Sequence, residues 1–148
     1  MGWFFGFKLH TVINHHGEII DIQFTSGNVD DRKPVLSFGQ KLFGYLFGDR
    51  GYISEDRCLV LRSFGVKYIT KRKNNMKGQT TISTTSKESA YLKKRTIIET
   101  VFGEIKRRTN LEHTRHRSFG NFIVNLFSSL ICYNLSPNKP SISRGLVS

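Results

Sequence analysis

Two carboxylates stand in contexts suited to chemistry. Asp49 follows the apolar run Tyr45-Leu46-Phe47 and Gly48, so it closes what reads as a short buried strand, the end at which ligands gather in open α/β sheets. Glu99 lies in a segment whose apolar residues, Ile97, Ile98, Val101, Phe102 and Ile105, recur at helical spacing. Arg95, Glu99, Gly103 and Lys106 are separated by four, four and three positions. At about 100° per residue they form one stripe, nearly opposite Ile97, Val101 and Ile105. An outward acid between a guanidinium and an ammonium suits work on phosphodiesters: the carboxylate holds a divalent cation and the flanking cations hold the phosphate backbone. Mg²⁺ takes a few carboxylate oxygens together with water and phosphate, so two or three acids suffice. The same spacing also fits an ordinary solvent-facing Arg95–Glu99 pair worth about 0.3 kcal/mol, and Asp49 before Arg50-Gly51 also fits a turn. Spacing leaves both readings open.

The elements that must position these acids follow from periodicity. Phe7, Leu9, Thr11 and Ile13 alternate with Lys8, His10 and Val12, which predicts a strand over Phe4–Asn14. Asn14-His15-His16-Gly17 is a turn, and Glu18 to Phe24 folds back as a second strand. Ser26-Gly27-Asn28 breaks that run, and Asp30 or Asp31 caps a helix reaching about Phe43, with Pro34 in or near its first turn. A helix from Ser54, capped at its C-terminus by Gly65, and a strand over Val66–Thr70 follow Asp49. Residues 71–90 are dominated by Lys, Ser, Thr and Gly and read as a long basic, mobile loop. A helix is predicted from Tyr91 to Arg108. After a basic connection, Ser118 caps a last amphipathic helix carrying Phe119, Phe122, Ile123, Leu126, Phe127, Leu130 and Ile131. That apolar face suits a core or a partner helix. The order is that of an α/β layer structure with an antiparallel hairpin at its start.

The chain has 148 residues and a formal net charge of +12, a length that fits one domain with a core of its own. Residues 1–64 hold seven Lys and Arg against seven Asp and Glu, whereas residues 65–148 hold 16 against 4. The entire excess lies in the second part, where it concentrates phosphate and favours nucleic acid as partner. Lys71, Arg72 and Lys73 open the basic loop and fit phosphate contact and a solvated loop equally well. Cys58 and Cys132 are far apart and flanked by apolar residues, which excludes a disulfide scaffold and a CxxC metal site. His15, His16, His113 and His116 lack partners at zinc spacing. Phe119 to Leu135 is interrupted by Asn121, Asn125, Ser128, Ser129 and Asn134 and falls short of the ~20 apolar residues a bilayer demands, so no membrane span is expected. The first residues lack the basic start of a signal peptide, and a reducing cytosol is the expected compartment.

Five stretches together carry a resemblance: Gly6-Phe7-Lys8-Leu9-His10, Gly17-Glu18-Ile19-Ile20, Ser26-Gly27-Asn28-Val29-Asp30-Asp31, Gly48-Asp49-Arg50-Gly51-Tyr52, and Arg95-x3-Glu99-x6-Lys106. Each is weak alone; jointly and in this order, over about residues 4–135, they closely resemble the DDE transposases of bacterial insertion sequences. The resemblance implies an RNase H-like fold, with a mixed sheet and flanking helices, over residues 1–136; the remaining 137–148 read as a disordered tail. It makes Asp49 the second and Glu99 the third catalytic, metal-binding acid. Arg95 and Lys106 match the Tyr-Arg-Glu-Lys signature around that third acid, although Tyr91 stands one residue too far from Arg95. The family's first acid lies on a strand upstream of Gly6-Phe7-Lys8-Leu9-His10, so the resemblance implies a truncated domain, first strand absent and inactive by itself. Asp21 is on the wrong strand to replace that acid, and Asp30 and Asp31 read as helix-start residues. The implied cofactor is Mg²⁺ or Mn²⁺. Implied partners are DNA, as element ends and target, held by Arg95, Lys106, Arg107, Arg108 and Lys71 to Lys73, and full-length transposase or an upstream-frame polypeptide. The implied place is the bacterial cytoplasm, at the nucleoid. A non-enzymatic DNA-binding remnant and a small metal-dependent nuclease are the alternatives.

Overall fold

The computed structural model describes residues 6–52, 54–70, 86–109, 111 and 117–142. Its elements are β1 (Phe7–Ile13), β2 (Ile19–Ser26), α1 (Arg32–Gly39), β3 (Gly44–Phe47), α2 (Glu55–Ser63), β4 (Val66–Ile69), α3 (Ser86–Lys93), α4 (Ile97–Thr109) and α5 (Phe119–Leu135), with short 3-10 turns at Arg50–Tyr52 and Lys94–Thr96. The arrangement is mixed α/β. Where the length suggests one domain, the chain forms two compact units, Met1–Thr11 with Asp21–Arg95, and Val12–Ile20 with Thr96–Ser148.

β1 and β2 pair as a hairpin, since so short a connection can join only antiparallel strands. β3 and β4 pair in parallel, with Gly44 opposite Val66 and Phe47 opposite Ile69, and α2 makes the crossover between them. Gly65, at φ +80°, ends α2 in the left-handed conformation that glycine adopts at little cost. The predicted cap and strand are therefore present. Val35, Cys58, Leu61, Val66 and Tyr68 form the core of this first unit, with Leu36, Leu42, Leu46 and Tyr52 packed against it.

Three expectations change here. Among the described residues the sheet is not continuous but forms two separate pairs, β1–β2 and β3–β4. β3 is thus flanked on one edge only, and Tyr45, expected to be buried, is 62% exposed with the Lys67 ammonium 5.6 Å from its ring centre. The helix expected to reach Phe43 stops at Gly39, a poor helix former, and the chain turns through Gln40 and Lys41 toward Gly44. Its start is held by Asp30, whose Oδ1 accepts the Arg32 N–H at 2.9 Å. The single helix expected from Tyr91 is two helices: α3 begins at Ser86 and the 3-10 turn at Lys94–Thr96 separates it from α4. Lys93, Lys94 and Arg95 place three cations in succession and Thr96-Ile97-Ile98 are β-branched, both of which weaken an α-helix at that point.

In the second unit α4 and α5 pack together, burying Val101, Ile105, Leu126, Leu130 and Tyr133. Tyr133 donates from its hydroxyl to the Gly17 carbonyl at 2.8 Å, and the Asn134 amide both accepts from the Ile19 N–H (2.9 Å) and donates to the Ile19 carbonyl (3.1 Å). Phe119, Phe127 and Ile131, read as part of one apolar face with Leu126 and Leu130, are exposed instead. Leu126, Leu130 and Tyr133 share the buried stripe, which lies slightly around the helix. Part of the expected tail is hydrogen-bonded: the Ile142 N–H reaches the His15 carbonyl at 2.8 Å. Residues 71–85, 112–116 and 143–148 lie outside the described residues, and with them most of the basic loop and the end of the tail. No helix among the described residues is long and apolar enough to cross a membrane.

Candidate functional site

Asp49 emerges from the end of β3 onto a fixed backbone. The Gly48 N–H donates to the Ile69 carbonyl at 3.1 Å and extends the parallel ladder by one step. The Asp49 carbonyl then accepts from the Tyr68 hydroxyl at 3.0 Å and from the Tyr52 N–H at 3.2 Å. The carboxylate is 59% exposed, and Arg95 Nη1 lies 3.8 Å from its Oδ1. Arg95 comes from the 3-10 turn after α3. That helix is seated on the parallel pair by the Tyr91 ring, 5.7 Å from that of Phe47, and by Lys67, whose Nζ donates to the nearly buried Glu88 at 2.7 Å.

Residues remote in sequence gather in the same unit. Lys8 Nζ donates to Asp31 Oδ1 at 2.7 Å and to the Val29 carbonyl at 3.1 Å. His10, almost wholly buried, shares a hydrogen bond of 3.0 Å between Nε2 and Thr25 Oγ1 and meets the Tyr52 ring edge-on, 5.9 Å between centres. Burial holds the His10 imidazole below its ordinary value; the Asp31 carboxylate works against this and the Lys8 ammonium with it. Burial likewise raises the Tyr52 phenol, and the carboxylates of Asp31 and Asp49 raise it further against the opposing Lys8 charge. Tyr52 thus lies within electrostatic reach of both acids. Lys8, Asp31, Asp49, Tyr52 and Arg95 come from four of the five stretches read in the sequence, and folding collects them.

Other expected site residues fall elsewhere. Glu99, Gly103 and Lys106 are exposed on α4, opposite the buried Val101 and Ile105, as the stripe requires. Glu99 sits in the first turn, where the helix dipole favours a carboxylate. Arg95 lies on the 3-10 turn before α4 and belongs to the first unit, where it meets the carboxylate of Asp49. Arg107 and Arg108 both bind Glu104 Oε2, at 2.7 and 3.0 Å, and their hydrogen bonds hold its carboxyl below the usual range. Arg108 also donates to Ser136 Oγ (2.7 Å) and to the Asn138 carbonyl (3.2 Å), which ties the end of α4 to the chain after α5. Lys71, Arg72 and Lys73 lie outside the described residues.

Among the described residues no three His, Cys, Asp or Glu side chains gather to hold a metal ion. The donor chemistry at Asp49 still fits one part of a Mg²⁺ or Mn²⁺ site: a hard cation bound to phosphate needs one or two carboxylates, and this one is solvent-facing. Sequence reasoning passed over Tyr68, because a Tyr in a short apolar strand carries no signal beyond burial. It also left Tyr52 and Lys8 without roles and read Asp31 as a helix-start residue, although each belongs to a quoted stretch.

Comparison with curated proteins and with solved structures gives no match. The family model described as Transposase DDE domain matches residues 1–119. Its members are transposases, a function that entails DNA binding and generally a divalent metal. With most of its length matched, this chain belongs to the transposase DDE domain family.

Proposed function

We propose that the chain belongs to the RNase H-like catalytic domain of a bacterial insertion-sequence transposase, acting in the cytoplasm at the nucleoid on the element's ends and on target DNA. The observation that carries this reading is the Arg95–Asp49 pair at the end of β3, in the same compact unit as Tyr52 and the Lys8–Asp31 pair. Asp49 and Glu99 are its metal-binding acids, and the first acid arrives on an upstream strand. Bound Mg²⁺ or Mn²⁺ supplies Lewis acidity to the phosphodiester. Arg95 and Lys106 hold phosphate oxygens and keep the scissile bond in place. Lys71, Arg72, Lys73 and the exposed Arg107 extend the backbone contact, while Arg108 acts mainly in cohesion.

The chain is expected to bind DNA, and cleavage is expected to require all three acids of the family site. Supplying the upstream segment, in cis or as a separate polypeptide, should restore Mg²⁺-dependent cleavage, and Asp49→Ala and Glu99→Ala should each abolish it. Robust Mg²⁺-dependent nicking by the chain alone, lost on either substitution, would make it a compact nuclease. Binding with no cleavage under any supplementation would leave a DNA-binding remnant or a partner of full-length transposase.

A further inference from the structure

We propose that Tyr68 is a positioning residue for Asp49: its hydroxyl and ring fix the main chain that presents the carboxylate. The inference rests on the reading of Asp49 as a metal-binding acid. Tyr68 is 4% exposed, stands on β4 opposite Leu46, and is part of the core with Val35, Cys58, Leu61 and Val66. Its ring therefore has no freedom to follow a moving loop. From that anchored ring the hydroxyl donates at 3.0 Å to the Asp49 carbonyl. The second lone pair of the same carbonyl takes the Tyr52 N–H at 3.2 Å. The carbonyl is thus saturated by one donor from the sheet and one from the following turn.

Gly48 completes the fit. A Cβ at that position would collide with the Tyr68 hydroxyl and ring edge, so only glycine lets the strand end pass close enough for the bond to form. A tyrosine serving only to fill the core would need none of this geometry at its hydroxyl. The buried ring and the glycine that leaves room for its hydroxyl together allow the close approach to the Asp49 carbonyl.

The test uses the full chain and two variants that perturb the contact from opposite sides, Tyr68→Phe and Gly48→Ala. Amide hydrogen exchange reads the backbone without reference to activity. In Tyr68→Phe the Tyr52 and Gly48 amides should exchange about tenfold faster, the loss of roughly one hydrogen bond, with the ladder amides of Leu46 and Ile69 unchanged. Gly48→Ala should give the same local pattern. Mn²⁺ binding, followed by the EPR signal of the free ion, should be abolished by Asp49→Asn and weakened about three- to tenfold by Tyr68→Phe. Uniform acceleration of all core amides, or no local change in either variant, would overturn the positioning role. So would Mn²⁺ affinity unchanged in Tyr68→Phe while Asp49→Asn abolishes it. Mn²⁺ binding indifferent to Asp49→Asn would instead overturn the reading of Asp49 itself, and with it the functional meaning of the Tyr68 bond.

Discussion

Replacing Arg95 with Gln separates a structural clamp from a cation held ready for phosphate. The Arg95–Asp49 pair spans 3.8 Å, with side chains 32% and 59% exposed. At that distance in water-like dielectric the Coulomb attraction is about 1 kcal/mol, and ionic screening at physiological salt reduces it to about 0.7 kcal/mol. Holding a long arginine side chain in place offsets much of this. A double-mutant cycle of Arg95→Gln with Asp49→Asn should therefore yield a coupling of about 0.5 kcal/mol or less, and the melting temperature should fall by only ~1–2 °C. DNA binding should respond differently. Loss of one phosphate contact should lower affinity several-fold at low salt and make the slope of log K against log[salt] shallower by about 0.9. Differential scanning fluorimetry and fluorescence anisotropy over a salt series measure the two effects on the same protein. A drop of more than ~5 °C, coupling above ~2 kcal/mol and an unchanged salt slope would refute the reasoning and make Arg95 a clamp.

Since the His10 imidazole titrates below its ordinary value of 6.5 in the fold, the unfolded chain binds more protons as pH falls through that value. Stability should decline below about pH 6.5 and level off beneath the folded-state value, each tenfold difference in proton affinity being worth about 1.4 kcal/mol; His10→Gln should flatten urea midpoints measured from pH 8 to 5, and an unaltered profile would exclude His10 as the source. Asn134→Ala removes both bonds to Ile19 and should cost about 1 kcal/mol, and Tyr133→Phe, which removes a buried bond to Gly17, about 1–2 kcal/mol; denaturant midpoints unchanged in both would mean that α5 is not secured to the hairpin turn through them. If about six phosphates are neutralised, log K for DNA should fall with log[salt] at a slope near −5, and charge reversal at Lys71, Arg72 and Lys73 should make that slope shallower; a flat salt response would sink the electrostatic argument.

The strands and the second helix were legible because short-range patterns decide them: alternation over Phe7–Ile13, and glycine at position 65 with positive φ. The join of α3 and α4 was not. Ser86 to Ala90 resembles a loop by composition, yet a tertiary contact, Glu88 to Lys67 on β4, accompanies helix there, and local propensity cannot register a partner 21 positions away. The same limit explains the site. Asp49 and Glu99 were each singled out from local context, but the Arg95–Asp49 pair joins residues 46 positions apart, which no local pattern registers. The length of β3 was legible and its exposure was not, because burial of a strand depends on neighbours that its own residues do not name.

Asp49 combines two properties that a ligand for an exchangeable ion requires. Its main chain is tied at three successive points, the Gly48 N–H to Ile69, its own carbonyl to Tyr68, and the same carbonyl to the Tyr52 N–H. Its carboxylate, in contrast, is largely in solvent and faces an arginine at a distance where little energy is stored. A rigid Cα confines the volume the oxygens can sample, which limits the entropy lost when an ion binds. A weakly held guanidinium keeps the local charge balanced, so a polyanion can approach the acid without meeting an isolated negative charge. Had Arg95 gripped Asp49 as Lys67 grips the nearly buried Glu88, at 2.7 Å, exchange would demand breaking a desolvated pair. The contrast between these two ion pairs in one unit gives the first a cohesive role, closing α3 onto β4, and is consistent with the metal-binding role proposed for Asp49 at the end of β3.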